Sequence, residues 1–201
     1  MEAEFSKYVH ELRQNPLIAA EKYLTRAYEF AATSRDNSNQ NGAILMFPGR
    51  LESCPGVNNF PPLVKWDEEK ATTRPDKYRY FEHAERDVIY NAARWGHSTK
   101  GNIMYCPWAS CCPCGRAIIT AGISDLVVHR PRMEMTPERW RLDVNEALLM
   151  MQKAGVRLHY FEEPLDAPAI MVNGELWSPD TPPKKGGGNW FVGMGMEGGL
   201  C

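Results

Sequence analysis

Two short stretches carry the side chains best suited to chemistry: His83-Ala84-Glu85 and Cys111-Cys112-Pro113-Cys114, with 25 residues between Glu85 and Cys111. Imidazole and thiolate bind zinc readily, and three protein ligands with a fourth position left for water or substrate is the pattern of a catalytic site. His83, Cys111 and Cys114 supply that count. On a helix, residues three apart lie about 60° apart around the axis while neighbours diverge by about 100°, which pairs Cys111 with Cys114 and turns Cys112 elsewhere. His83 and Glu85 would be about 200° apart in mid-helix, so they converge on one site only at a helix start. Two helix N-termini aimed at one point favour thiolates and developing negative charge, because their unpaired N–H groups point there. Either motif alone is common; both together, each opening a helix with a strand between, are far more specific.

The flanking residues place both motifs as that geometry requires. Apolar positions three or four apart predict helices over 5–12 and 17–32, interrupted at Asn15-Pro16, and again over 83–96 and 111–121. Thr136 as N-cap and Pro137 at the first helical position predict a further helix ending at Gly155. Short apolar runs predict strands at 43–47, to about Gly56, at 103–106, 126–128 and 156–161. Strands alternating with helices indicate an α/β layered sheet. Residues 61–80 are polar and weakly periodic, fitting a loop or insertion over a site as well as a solvated linker. After Pro164 a hairpin around Asn173-Gly174 is expected, and 181–201, with seven glycines and two prolines, reads as a mobile tail. The organisation is a domain over 1–164 and a C-terminal extension over 165–201.

At 201 residues, 43% apolar and 24% charged, the chain suits one soluble domain. No apolar run approaches the roughly 18 to 20 residues of a membrane span, and the acidic Met1-Glu2-Ala3-Glu4 start is unlike a signal peptide, so a cytoplasmic location is expected. With 23 Lys+Arg against 25 Asp+Glu the net charge is −2 and no basic stripe appears. Neither nucleic acid nor an anionic membrane is expected as partner, and an anionic small molecule would need a local basic pocket. Four of the six cysteines crowd into 106–114, which suggests metal or catalysis before disulfides; Cys54 and Cys201 read as plain buried thiols.

Further motifs follow in order: Ser34-Arg35-Asp36 leading to Gln40-Asn41-Gly42-Ala43, then Gly56-Val57-Asn58-Asn59-Phe60-Pro61, Tyr90-Asn91-Ala92-Ala93-Arg94, and Ala117-Ile118-Ile119-Thr120-Ala121-Gly122-Ile123. With the H-x-E and C-x-x-C motifs, they resemble the zinc-dependent cytidine deaminase superfamily, and within it the deoxycytidylate (dCMP) deaminase family, over roughly residues 20–161. The resemblance implies a three-layer α-β-α fold with a five-stranded mixed sheet, in a homo-oligomer, hexamer or dimer. Ser110 departs from the signature's proline, Val57 and Asn59 from the aromatic and glycine of G-Y-N-G-x-P, and Asp87 from a frequent asparagine.

The same resemblance implies hydrolytic deamination of dCMP to dUMP with zinc as cofactor. Glu85 would move protons from the attacking water to the pyrimidine, Asn58 would contact the sugar, and the Ala84 N–H would meet the ring carbonyl. Trp108 is a candidate wall for the ring. Arg35, Arg130 and Arg132 are candidate donors to a monophosphate. Alternatives are a modified dCMP, a free nucleoside, an adenosine in RNA, or a non-catalytic zinc domain closed by Cys112 or Cys106.

Overall fold

Apolar residues alternate between two cores along the central strands. β1 (Gly42–Met46) sends Ala43 and Leu45 to one face and Ile44 and Met46 to the other, and β3 (Ile103–Tyr105) divides Met104 from Ile103 and Tyr105 in the same way. Strands buried on both faces belong inside a sheet covered on both sides. The computed structural model, which describes residues 2–50 and 52–181, adds β2 (Ser53–Val57), β4 (Asp125–His129) and β5 (Arg157–Phe161) in the order β2-β1-β3-β4-β5. β1 runs antiparallel to both its neighbours, whereas β3, β4 and β5 are parallel. This is the expected α/β fold with a five-stranded mixed sheet.

One face is covered by α1 (Glu2–Gln14) and α2 (Ala20–Ala31); the other by α5 (Ala84–Arg94), α6 (Cys112–Thr120) and α8 (Glu138–Lys153). Two glycines let helices lie close on the edge pair. A Cβ on Gly42 would stand 2.1 Å from the Ala27 carbonyl oxygen of α2, and one on Gly56 2.4 Å from the Val88 nitrogen of α5. The second approach seats the start of α5, which carries His83 and Glu85, against β2.

Residues 61–80 are a folded insertion that contributes Arg74, Lys77 and Tyr78 to the wall of a cavity, and not a solvated linker. They contain α3 (Glu68–Thr72) and α4 (Lys77–Tyr80), anchored by a cluster of Phe60, Trp66, Ala71 and Phe81. The expected Thr136 cap does not form either. α8 begins after Pro137 without a side-chain cap, because the Thr136 hydroxyl accepts from Trp108 Nε1 and donates to the Met133 carbonyl.

After α7 (Arg130–Glu134), α8 and β5, the chain returns as a hairpin, β6 (Ile170–Val172) and β7 (Glu175–Trp177). Its turn residues Asn173 and Gly174 have φ of 55° and 86°, as a two-residue hairpin loop with matching twist requires. Leu165, Ile170 and Val172 are buried in the α2 core, so this part of the extension is built into the domain. Residues 182–201, with Cys201 and the expected mobile tail, lie outside the described residues. Among the described residues, no helix is long and apolar enough to cross a membrane.

Candidate zinc and catalytic site

His83 and Cys111 each occupy the position just before a helix, with extended backbone at φ −87°, ψ 148° and φ −73°, ψ 162°. That placement releases them from the helical spiral and turns both toward one point. His83 Nδ1 lies 3.4 Å from Cys111 Sγ and 3.5 Å from Cys114 Sγ, and the two sulfurs are 3.3 Å apart. Tetrahedral zinc with ordinary Zn–S and Zn–N bonds separates its ligands by about 3.6 to 3.8 Å, so the three atoms fit within a few tenths of an ångström. They are the group among the described residues able to hold a metal ion. Cys112 does not join them: its thiol bonds to the Asp143 carbonyl. Cys106 is fully buried beside the Trp108 carbonyl and the Asn41 amide. Neither Cys112 nor Cys106 belongs to the group of three ligand atoms.

The electrostatics favour a ligand set. The hydrogen bond with Cys114, aided by His83, holds Cys111 well below the ordinary thiol range, which favours the thiolate that a metal ligand must be. Cys111 in turn pushes Cys114 up, a proton that metal binding would displace. Burial pulls His83 down, yet Cys111 and Glu85 outweigh it and leave the ring above its ordinary value. Glu85, 3% exposed, is raised by burial against the opposing effect of His83. Arg86, paired with Glu82, adds positive charge near both thiols.

These groups open onto a cavity of about 110 Å³ whose lining includes Asn58, Ala84, Glu85, Trp108, Ser110 and Cys111. Both Asn58 amide hydrogens are taken, by the Asn39 carbonyl at 2.7 Å and Asp36 Oδ2 at 3.3 Å. Its Oδ1 accepts from the Asn41 N–H at 2.7 Å, which uses one of its two lone pairs. Asp36 also takes the Lys77 ammonium in a buried pair at 2.5 Å, tying α4 to the loop between α2 and β1.

The three sequence-derived arginines are not among the residues that line this cavity. Arg35 stacks on Trp66 at 3.8 Å, Arg130 pairs with Glu134 and Glu162, and Arg132 is fully buried beside Trp108. The cations of the lining are instead Arg74, Lys77 and Arg139. Arg74 and Arg139, with Ser38 and Asn39, also line an adjoining chamber of about 460 Å³ bordered by Asn173 and Gly174. Sequence reading passed over Arg74 and Arg139 because neither sits in a motif; the one signal was Arg139 in the first turn of a helix.

The family described as cytidine and deoxycytidylate deaminase zinc-binding region matches residues 18–130. The chain belongs to that family. It is 27% identical over 146 residues to the deoxycytidylate deaminase of Mus musculus and 26% identical over the same length to that of Homo sapiens, in each case across 70% of this chain and 78% of the relative. Among solved structures, it superposes on the apo dCMP deaminase of cyanophage S-TIM5 with a TM-score of 0.55 at 19% identity, over 72% of this chain and 98% of that one. A Thermotoga maritima diaminohydroxyphosphoribosylaminopyrimidine deaminase/reductase gives 0.52 at 21% identity, over 73% of this chain and 37% of that one. Family and site agree: this is a zinc-binding deaminase region, with His83, Cys111 and Cys114 as its candidate zinc site.

Proposed function

We propose that the protein deaminates dCMP, or a 5-substituted dCMP, to the uracil nucleotide and ammonia. The observation that carries the reading is the burial of the Glu85 carboxylate in the same small cavity as Cys111 and His83. A structural zinc site has no use for such a group.

Zinc, when bound, supplies Lewis acidity and lowers the pKa of a coordinated water. Glu85 takes the proton from the attacking water, delivers it to ring N3, and carries a second proton to the amino nitrogen as the C4–N bond breaks and ammonia leaves. Trp108, held by Thr136, walls the base; the Ala84 N–H at the start of α5 meets the ring carbonyl, and the spare Asn58 lone pair receives a sugar hydroxyl. Lys77 is matched by Asp36, so the charge for a 5′-phosphate comes from Arg74 and Arg139, which line both the cavity and the adjoining chamber. Support from relatives is of the same kind: the cyanophage S-TIM5 enzyme has been solved in complex with dCMP and dUMP. The homo-oligomer belongs to this reading too, with Tyr90 and Trp95 on and after α5 half exposed.

The test is ammonia release across dCMP, 5-substituted dCMP, deoxycytidine, cytidine and a structured RNA. Nucleotides should give the highest kcat/KM, and a preference for RNA or free nucleoside would contradict the assignment.

A further inference from the structure

Ser110 stands where the family signature has proline, and its hydroxyl has a definite target. Ser110 Oγ donates to Glu85 Oε1 at 3.1 Å, with Ser110 2% and Glu85 3% exposed and both lining the cavity. It is the side-chain donor to that carboxylate among the described residues. A proline there would offer no donor at all. From this contact we infer that Ser110 is a positioning residue for Glu85, fixing Oε1 so that the second oxygen is held at the reacting atoms.

Ser110 immediately precedes Cys111, so the backbone that seats the zinc ligand also seats the hydroxyl. Glu85 follows His83 by two residues at the start of α5. The hydrogen bond therefore spans the two motifs and sets the carboxylate in register with both sulfur and imidazole ligands. A glutamate has three side-chain torsions, and a proton carrier displaced by about 1 Å loses on the order of 100-fold in rate. At 3% exposure the Glu85 carboxylate meets little bulk water, so one fixed donor has a large effect on its orientation.

The inference rests on the reading of Glu85 as proton carrier, and the experiment separates the two. Ser110→Ala, Ser110→Thr and Ser110→Val are each made alone, and Ser110→Ala is also made on Glu85→Gln; zinc content, melting temperature, kcat and KM for dCMP are measured. Ser110→Ala should keep stoichiometric zinc and its KM, while kcat falls about 10- to 100-fold, the loss of one hydrogen bond to a charged group. Ser110→Thr should recover most of the rate and Ser110→Val should not, since the two match in shape and differ in the hydroxyl. On the Glu85→Gln background, Ser110→Ala should lower the residual rate by less than about twofold. Near-normal kcat in Ser110→Ala or Ser110→Val overturns the inference, as does an equal loss on both backgrounds. If the alanine variant loses zinc or unfolds, the threonine and valine pair decides: equal rates overturn the role. Near-normal turnover by Glu85→Gln alone removes the underlying reading instead.

Discussion

The guanidinium of Arg132 lies 4.3 Å from the centroid of the Trp108 ring, and Arg132 has no exposed surface while Trp108 lines the cavity. Its Nη2 donates to Asn39 Oδ1 at 3.1 Å, and its Nε and Nη1 have no hydrogen-bond partner among the described residues. Burial lowers its pKa to about 10, which leaves it charged at neutral pH. A cation over an indole face in a dry setting is worth about 2 kcal/mol, far less than full compensation of a buried charge. The arginine thus braces Trp108 and Asn39 at a cost in stability. Arg132→Met should leave unfolding free energy within about 1 kcal/mol of wild type, since burying an apolar side chain there removes the unpaired charge. It should raise KM for dCMP several-fold as the ring loosens. Urea unfolding and steady-state kinetics check both, and unchanged KM with a large stability loss would show the residue to be purely structural.

The metal should be part of the fold. Cys111→Ala and Cys114→Ala are expected to lose zinc and to melt lower, because binding energy at such a site contributes to folding energy. Cys112→Ser should keep zinc, as its side chain faces Asp143. Stoichiometric zinc in either alanine variant, measured by elemental analysis, would refute the ligand set.

Phosphate recognition should follow Arg74 and Arg139. Replacing either by alanine is expected to cut kcat/KM for dCMP about tenfold to a hundredfold while changing deoxycytidine little, the effect of one charge-assisted contact. Arg35→Ala and Arg130→Ala should leave the ratio of the two substrates unchanged, because both side chains are engaged elsewhere and neither lines the cavity. The reverse pattern would restore the sequence-derived arginines.

Asp125 ties the β4 and β5 starts together. Burial raises its pKa, but His159 at 2.8 Å, Arg157 and Ser124 outweigh that and hold it below the ordinary value. A depressed folded-state pKa contributes stability above the unfolded value, near pH 4, and that stability fades as pH falls through the folded one. Asp125→Asn should therefore lose about 1 to 3 kcal/mol at pH 7, Arg157 being half exposed, and the gap to wild type should narrow below about pH 4. Denaturant melts at both pH values give the answer; a gap that widens in acid would contradict the sign.

What could be read from the residues was whatever depends on identity and local spacing. His83, Cys111 and Cys114 were legible because ligand chemistry and helix-start geometry are local, and the strands were legible because runs such as Ala43 to Met46 admit few other structures. The phosphate donors were not, since which cation reaches a cavity is decided by the tertiary path. Arg132 turns inward behind Trp108, Arg35 finds Trp66, and Arg139 reaches the cavity from the first turn of α8. Thr136 carried a capping signal that a distant indole N–H overrode. The departure at Ser110 was visible, but its partner, 25 positions earlier, was not.

Turnover of dCMP by the zinc-loaded protein, measured side by side for wild type and Glu85→Gln, tests the central claim most directly. Wild type should release ammonia and form dUMP in equal amounts. Glu85→Gln should retain zinc and its melting temperature and lose at least about 100-fold in kcat, because the amide holds a hydrogen bond without carrying a proton. Comparable rates from the two proteins, or no uracil nucleotide from the zinc-loaded wild type, would contradict the account.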